Sequence, residues 1–124
     1  NTSSVTNMRS TFHSCPKFNS KIGAWDVSLV ENMINFLCNA ETFDQDLGKW
    51  NTESVTVMEG MFQGAKLFNK PLTNWNTAKV TNMNSMFKNA RRFNQDLSGF
   101  DTSEVTTMSN MFELAYAFNQ NVRQ

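Results

Sequence analysis

With only two cysteines among 124 residues, disulfides cannot form a framework for this chain. A single histidine and no repeated acid–base pair leave no triad or carboxylate dyad of recognisable spacing. The expectation is therefore a protein that is not an enzyme and carries no cofactor. No apolar run approaches the ~20 residues that cross a bilayer, so the chain is expected not to span a membrane. Basic and acidic side chains number 11 each, and the net charge is zero. That gives no basic field for nucleic acid and no acidic tail for a basic partner. The first residues lack the basic and apolar regions of a signal peptide; if the protein is exported, its signal is expected elsewhere.

What the chain does have is a strict period of 25 residues without insertion or deletion. Asn1, Asp26, Asn51, Asn76 and Asp101 fall in register, as do Val5, Val30, Val55, Val80 and Val105. Met8, Met33, Met58, Met83 and Met108 form another row. Phe18, Phe43, Phe68, Phe93 and Phe118 form a fourth, each followed by Asn or Asp. A fixed period of this length marks stacked repeats, each packed only on its neighbours. One repeat orders more backbone than its apolar side chains can offset, so stacking is obligatory. We read one domain, 1–124, divided as 1–25, 26–50, 51–75, 76–100 and 101–124. Numbering each repeat from 1, positions 5, 8, 11, 12, 15, 18, 22 and 25 are expected to face inward.

Apolar spacing of three or four suits a helical face, but 25 residues are too few for two helices. The predicted fold class is α/β: a right-handed solenoid of five coils. Each coil would hold short parallel strands and one short helical turn. A mainly-β parallel solenoid is the alternative. In the last full period the strand is expected over Gln95–Phe100 and a short extended piece at Val105–Thr106. The helical turn is expected over Ser109–Ala115. Asn19, Asp44, Asn69, Asn94 and Asn119 are expected to satisfy corner backbone groups along the stack. Trp25, Trp50 and Trp75 would stack with each N–H at a polar edge. Threonine rows at positions 2 and 6 are interrupted by Val27 and Glu31. That favours buried or corner-bonding threonines over an ice-binding face.

The stretch Phe93-Asn94-Gln95-Asp96-Leu97, followed by Asp101-Thr102-Ser103-Glu104-Val105-Thr106-Thr107-Met108-Ser109-Asn110-Met111-Phe112, resembles the BspA-like bacterial surface-protein repeat. The likeness recurs at one period along the whole chain. It implies a leucine-rich-repeat-like domain of cell-surface or secreted proteins, often lipoproteins, with roles in adhesion. It implies a protein or glycan partner on a host or neighbouring cell, and transfers no catalytic residue. Thr11, Phe36-Leu37, Phe100 and Lys70-Pro71 depart from the pattern, and Pro71 removes a backbone donor.

The most variable positions are expected to face solvent and carry specificity. Position 13 reads His13, Cys38, Gln63, Lys88 and Glu113; position 16 reads Pro16, Glu41, Lys66, Arg91 and Tyr116. The candidate partner-binding stripe is Lys66, Lys88, Arg91, Arg92, Glu113 and Tyr116, suited to an acidic protein or a glycan. The bland alternative is a solvated face. His13, Cys15 and Cys38 fall near one end, but a zinc site wants four ligands, so no metal is expected. Pairing of Cys15 with Cys38 stays open at this point. Uncapped terminal coils also expose edges that favour end-to-end self-association.

Overall fold

In the computed structural model, which describes residues 1–121, each repeat forms one coil lying against the next. Every backbone hydrogen bond between coils steps by 24 to 26 residues. The α/β expectation is corrected: the described residues contain no helix. They contain no strand beyond isolated parallel bridges, which join Asn7, Asn32, Val57, Asn82 and Thr107, one residue per coil. The mainly-β alternative fails with it, since one bridge per coil is not a sheet.

The coils are built from tight turns instead. In the first coil, amides of Val5, Thr11, His13, Cys15, Phe18 and Trp25 each donate to the carbonyl three residues earlier. Positions 10 and 14 have positive φ throughout, at Ser10, Asn35, Gly60, Ser85 and Asn110, and at Ser14, Asn39, Gly64, Asn89 and Leu114. Left-handed residues reverse the amide direction at alternate places, so a helix cannot propagate. Between positions 8 and 14 the even-numbered amides donate to the next coil. Ser85, Phe87 and Asn89 thus reach the carbonyls of Ser109, Met111 and Glu113 at 2.8, 3.0 and 2.7 Å. The odd-numbered amides at 11, 13 and 15 close turns within the coil. The predicted helical turn Ser109–Ala115 is this alternating segment, with φ of 59° at Asn110 and 60° at Leu114.

The predicted strand Gln95–Phe100 is also absent. Asp96 Oδ1 accepts the Ser98 amide at 2.8 Å, and the Phe100 amide returns to the Leu97 carbonyl at 3.0 Å. Each side of this segment is therefore bent into a turn. The ladder lies at Thr106–Thr107, where Thr106 N–H reaches the Thr81 carbonyl at 2.8 Å and Thr107 makes the bridge.

Short polar side chains satisfy the corners. Asn1, Asp26, Asn51, Asn76 and Asp101 each accept the amide two residues on. These are Asx turns, in which the side chain replaces a backbone acceptor. Ser28 bonds Asp26 through hydroxyl and amide, and Ser103 bonds Asp101 in the same way. Both carboxyls are held below the usual range, as is Asp96 beside Ser98. Position 19 connects coils: Asn19, Asp44, Asn69 and Asn94 accept the amides of Asp44, Asn69, Asn94 and Asn119 at 2.9–3.0 Å. The corner role expected for these residues is the one they fill.

All eight predicted inward rows are buried in coils two to four, from Val30 and Met33 to Leu97 and Phe100. Aromatic columns run along the stack. Phe18, Phe43, Phe68, Phe93 and Phe118 have successive ring centroids 5.6–6.1 Å apart. Trp50 and Trp75 stack at 6.3 Å with planes 6° apart, and their indole N–H groups donate to Ile22 and Leu47 carbonyls of the preceding coil. Thr52 and Thr77 are buried in the position-2 row, each bonding the following coil through its hydroxyl. Their burial agrees with the structural role read from the interrupted row. The end coils are less covered: Val5, Phe12, Phe18 and Trp25 at one end, and Val105, Met108, Phe112 and Phe118 at the other, are only partly buried.

Candidate functional site

The variable stripe lies where the backbone is most constrained. Position 13 sits between the two left-handed residues of each coil, and position 16 follows the small buried residue at 15. Ala40, Ala65, Ala90 and Ala115 anchor that corner inside the stack. Beyond it, amides of Leu67, Arg92 and Ala117 donate to the carbonyls of Glu41, Lys66 and Arg91, each at 3.2 Å. Positions 16 and 17 of neighbouring coils are thereby locked side by side.

On this backbone the six predicted stripe residues divide into paired and open groups. Lys88 Nζ lies 3.7 Å from Glu113, and Lys66 Nζ lies 2.7 Å from Glu41. These are exposed pairs of small energetic worth, but they neutralise both lysines locally. The Arg91 guanidinium sits 5.8 Å from the centre of the Tyr116 ring, a cation–π geometry, and its Nε donates to Asn89 Oδ1 at 2.9 Å. Arg92 is exposed and makes no ion pair among the described residues. Tyr116 is 71% exposed, the most open large apolar side chain of those described.

The structure therefore does not gather four free cations. It brings Arg91 and Tyr116 into one contact, leaves Arg92 beside them, and ties Lys66 and Lys88 to acids. The six-residue stripe left out Glu41 and Asn89, the partners of Lys66 and Arg91. Glu41 was legible as the position-16 neighbour of Lys66. It also left out Leu67, 37% exposed at position 17 next to Arg92.

In the second cluster the Ser14 amide donates to the Cys38 carbonyl at 2.7 Å, but among the described residues no side-chain bond joins His13 or Cys15 to Cys38. Ser14 Oγ and His13 Nδ1 lie 3.0 Å apart, and Cys15 Sγ is 3.7 Å from the His13 carbonyl. Cys38 is buried, and burial pushes its thiol pKa up. Both cysteines are free, which answers the open question of their pairing. Among the described residues no three His, Cys, Asp or Glu side chains lie close enough to hold a metal. No described helix is long and apolar enough to cross a membrane. An open depression of about 350 Å³ is lined by Lys21, Gly23, Ala24, Gln45, Asp46 and Lys49, none of which belongs to the stripe.

No curated protein and no solved structure is significantly similar to this chain. A family described as "Mycoplasma protein of unknown function, DUF285" matches residues 1–81 and, in a second overlapping match, residues 39–124. The two matches together cover the chain from end to end, and it therefore belongs to that repeat family.

Proposed function

We propose that this chain is a non-catalytic interaction module of a cell-surface or secreted protein, presenting its variable stripe to a protein or glycan on another cell. The observation that carries the reading is the contrast between rows. Core positions keep their residue type from coil to coil, whereas positions 13, 16 and 17 change at every step. Arg91, Arg92 and Tyr116 form the open part of that stripe, on backbone fixed by inter-coil bonds. A rigid platform limits the ordering cost of binding, and several weak contacts along it add. The BspA-like motif supports a surface location, and the family match supports the repeat character.

A second reading is a spacer that holds a neighbouring domain away from the surface. The pairing of Lys66 with Glu41 and Lys88 with Glu113 favours it, because those charges serve the stack itself.

The test is a binding screen against immobilised matrix proteins, host-cell surface proteins and glycans. Arg91→Glu/Arg92→Glu runs beside the unaltered chain. Saturable binding lost in the variant supports the stripe. Binding that survives moves the contact to another face, and no binding supports the spacer.

A further inference from the structure

We infer that the open part of the stripe seats an extended peptide of a partner protein, with one acidic residue between two apolar ones in the alternating pattern apolar-x-acid-x-apolar. This rests on the stripe being the contact surface and adds the chemistry of what it holds.

Spacing comes first. Leu67, Arg92 and Tyr116 stand at positions 17, 17 and 16 of three successive coils, joined at this corner by the amides of Arg92 and Ala117. The adjoining Phe68, Phe93 and Phe118 rings lie 6.0 and 6.1 Å apart, which gives the step between coils here. Side chains on one face of an extended peptide recur about every 7 Å. A peptide lying along the stack therefore presents one same-face side chain to each coil. The three coils offer it an aliphatic, a cationic and an aromatic surface in turn. Position 16 faces outward in the inner coils as well, where Arg91 is exposed and Glu41 and Lys66 are partly so. The exposure of Tyr116 thus belongs to its row.

The cationic step is prepared for a carboxylate. Arg91 Nε is occupied by Asn89 Oδ1, and the guanidinium lies against the Tyr116 ring, so its orientation is held from two sides. Its terminal N–H groups have no acceptor among the described residues, and neither Arg91 nor Arg92 makes an ion pair there. A held guanidinium offers parallel N–H groups that fit the two oxygens of one carboxylate.

The neighbouring charges favour a single carboxylate over a polyanion. Glu41 stands two coils before the arginines and Glu113 one coil after, each paired with a lysine. Positive charge without a partner is confined to one coil. A sulfated glycan running along the stripe would meet carboxylates on both sides, and like charges brought together oppose binding. An acidic side chain flanked by apolar ones meets only the two arginines, Leu67 and Tyr116.

The test is a titration of the isotope-labelled chain, followed by amide NMR shifts, with the peptide acetyl-Gly-Leu-Thr-Glu-Thr-Leu-Gly-amide. Saturable shifts are expected at Leu67, Arg91, Arg92 and Tyr116, weakening as salt is raised. A peptide with Gln in place of Glu is expected to bind about tenfold or more weakly, the worth of a charge-assisted hydrogen bond. A peptide with Ser in place of both Leu is expected to bind more weakly as well. These comparisons alter the peptide alone, so they do not depend on any variant folding. Arg91→Gln/Arg92→Gln is expected to abolish the difference between the Glu and Gln peptides.

No saturable shift, shifts away from the stripe, or equal affinity for the Glu and Gln peptides overturns the inference. Tighter binding of a heparin oligosaccharide at the same amides also overturns it, in favour of a glycan. Failure here is separable from failure of the surface-module reading. A partner captured in the binding screen and lost in the arginine variant, with no preference among the peptides, removes this inference alone. Peptide binding at the stripe with no partner in the screen keeps the inference and removes the adhesive role.

Discussion

The Thr77 hydroxyl donates to the Asp101 carbonyl at 3.0 Å and accepts the Asp101 amide at 2.8 Å, so one buried side chain joins two coils through both backbone groups of one residue. Thr52 does the same with Asn76, at 2.9 Å each way. In the second coil the place is held by Val27, also buried, which has no hydroxyl to offer Asn51. Thr77→Val is expected to lower stability by about 1 kcal/mol, and Val27→Thr to raise it by a similar amount. Urea denaturation of the two single variants measures both. A neutral Thr77→Val would show that water replaces the bridge without cost.

Among the described residues Leu114 is the one long aliphatic residue held at positive φ, 60°, where the other coils use Ser, Asn or Gly. A left-handed β-carbon costs an L-residue about 1–2 kcal/mol, and asparagine tolerates the region better. Leu114→Asn is expected to stabilise the protein by about 1 kcal/mol despite losing apolar contact, since Leu114 is already 43% exposed. Gly64→Ala probes the same row in reverse. Its φ is 70°, and an added β-carbon would meet Asn39 Oδ1. The expected result is a loss exceeding 1 kcal/mol, and opposite signs for the two variants in thermal unfolding confirm the row.

Acid stability follows from three corner carboxylates. Serine hydroxyl and amide bonds hold Asp26 and Asp101 below the usual range, and the Ser98 amide and hydroxyl hold Asp96 there. A folded-state pKa below the unfolded value gives stability that is present when pH exceeds the unfolded value. It is lost as pH falls through the folded value. Stability is therefore expected to decline below about pH 4, the ordinary aspartate value. Asp26→Asn/Asp96→Asn/Asp101→Asn keeps the Asx acceptors, as Asn51 and Asn76 do natively, and removes the titration. Its denaturation midpoint should depend less on pH between 5 and 2.5. An identical acid profile would place the sensitivity elsewhere.

The two cysteines should differ in reactivity. Cys15 is partly exposed, whereas Cys38 is 5% exposed, with its thiol pKa raised by burial. The thiolate is the reacting species, so iodoacetamide near neutral pH is expected to modify Cys15 first. Cys38 should react only on unfolding. Peptide mass spectrometry over a time course separates the two, and equal rates would contradict the buried position of Cys38.

How much of this was legible in the sequence depends on which residues are asked. The period and the inward rows were plain, because apolar identity at Val80, Met83, Phe87 and Phe93 recurs in register and stacking buries all four. The Trp and Asn columns could be reasoned from their need for a partner. The local conformation could not be reached from apolar spacing alone. A spacing of three or four arises equally from a helix and from consecutive turns, and the helical reading of Ser109–Ala115 ignored the turn chemistry between the apolar residues. The discriminating signal was present in two rows: Ser10, Asn35, Gly60, Ser85 and Asn110, and Ser14, Asn39, Gly64 and Asn89. Asn, Gly and Ser recurring four residues apart mark left-handed backbone, and Leu114 obscured the second row. The stripe was legible as a set of positions but not as a set of contacts. Which of Lys66, Lys88 and Arg91 stays open depends on Glu41, Glu113 and Tyr116 in neighbouring coils.

Native-state hydrogen exchange at high dilution and moderate salt measures the proposed coil architecture at single amides. Ser85, Phe87 and Asn89 donate to the following coil, whereas Asn110, Phe112 and Leu114, their counterparts one repeat later, have no such acceptor among the described residues. The expected result is slow exchange for the first three, near the global unfolding limit, and fast exchange for the second three. Equal protection in both sets, as a continuous helical turn with bonds inside each coil would give, would contradict a stack held by alternating inter-coil donors.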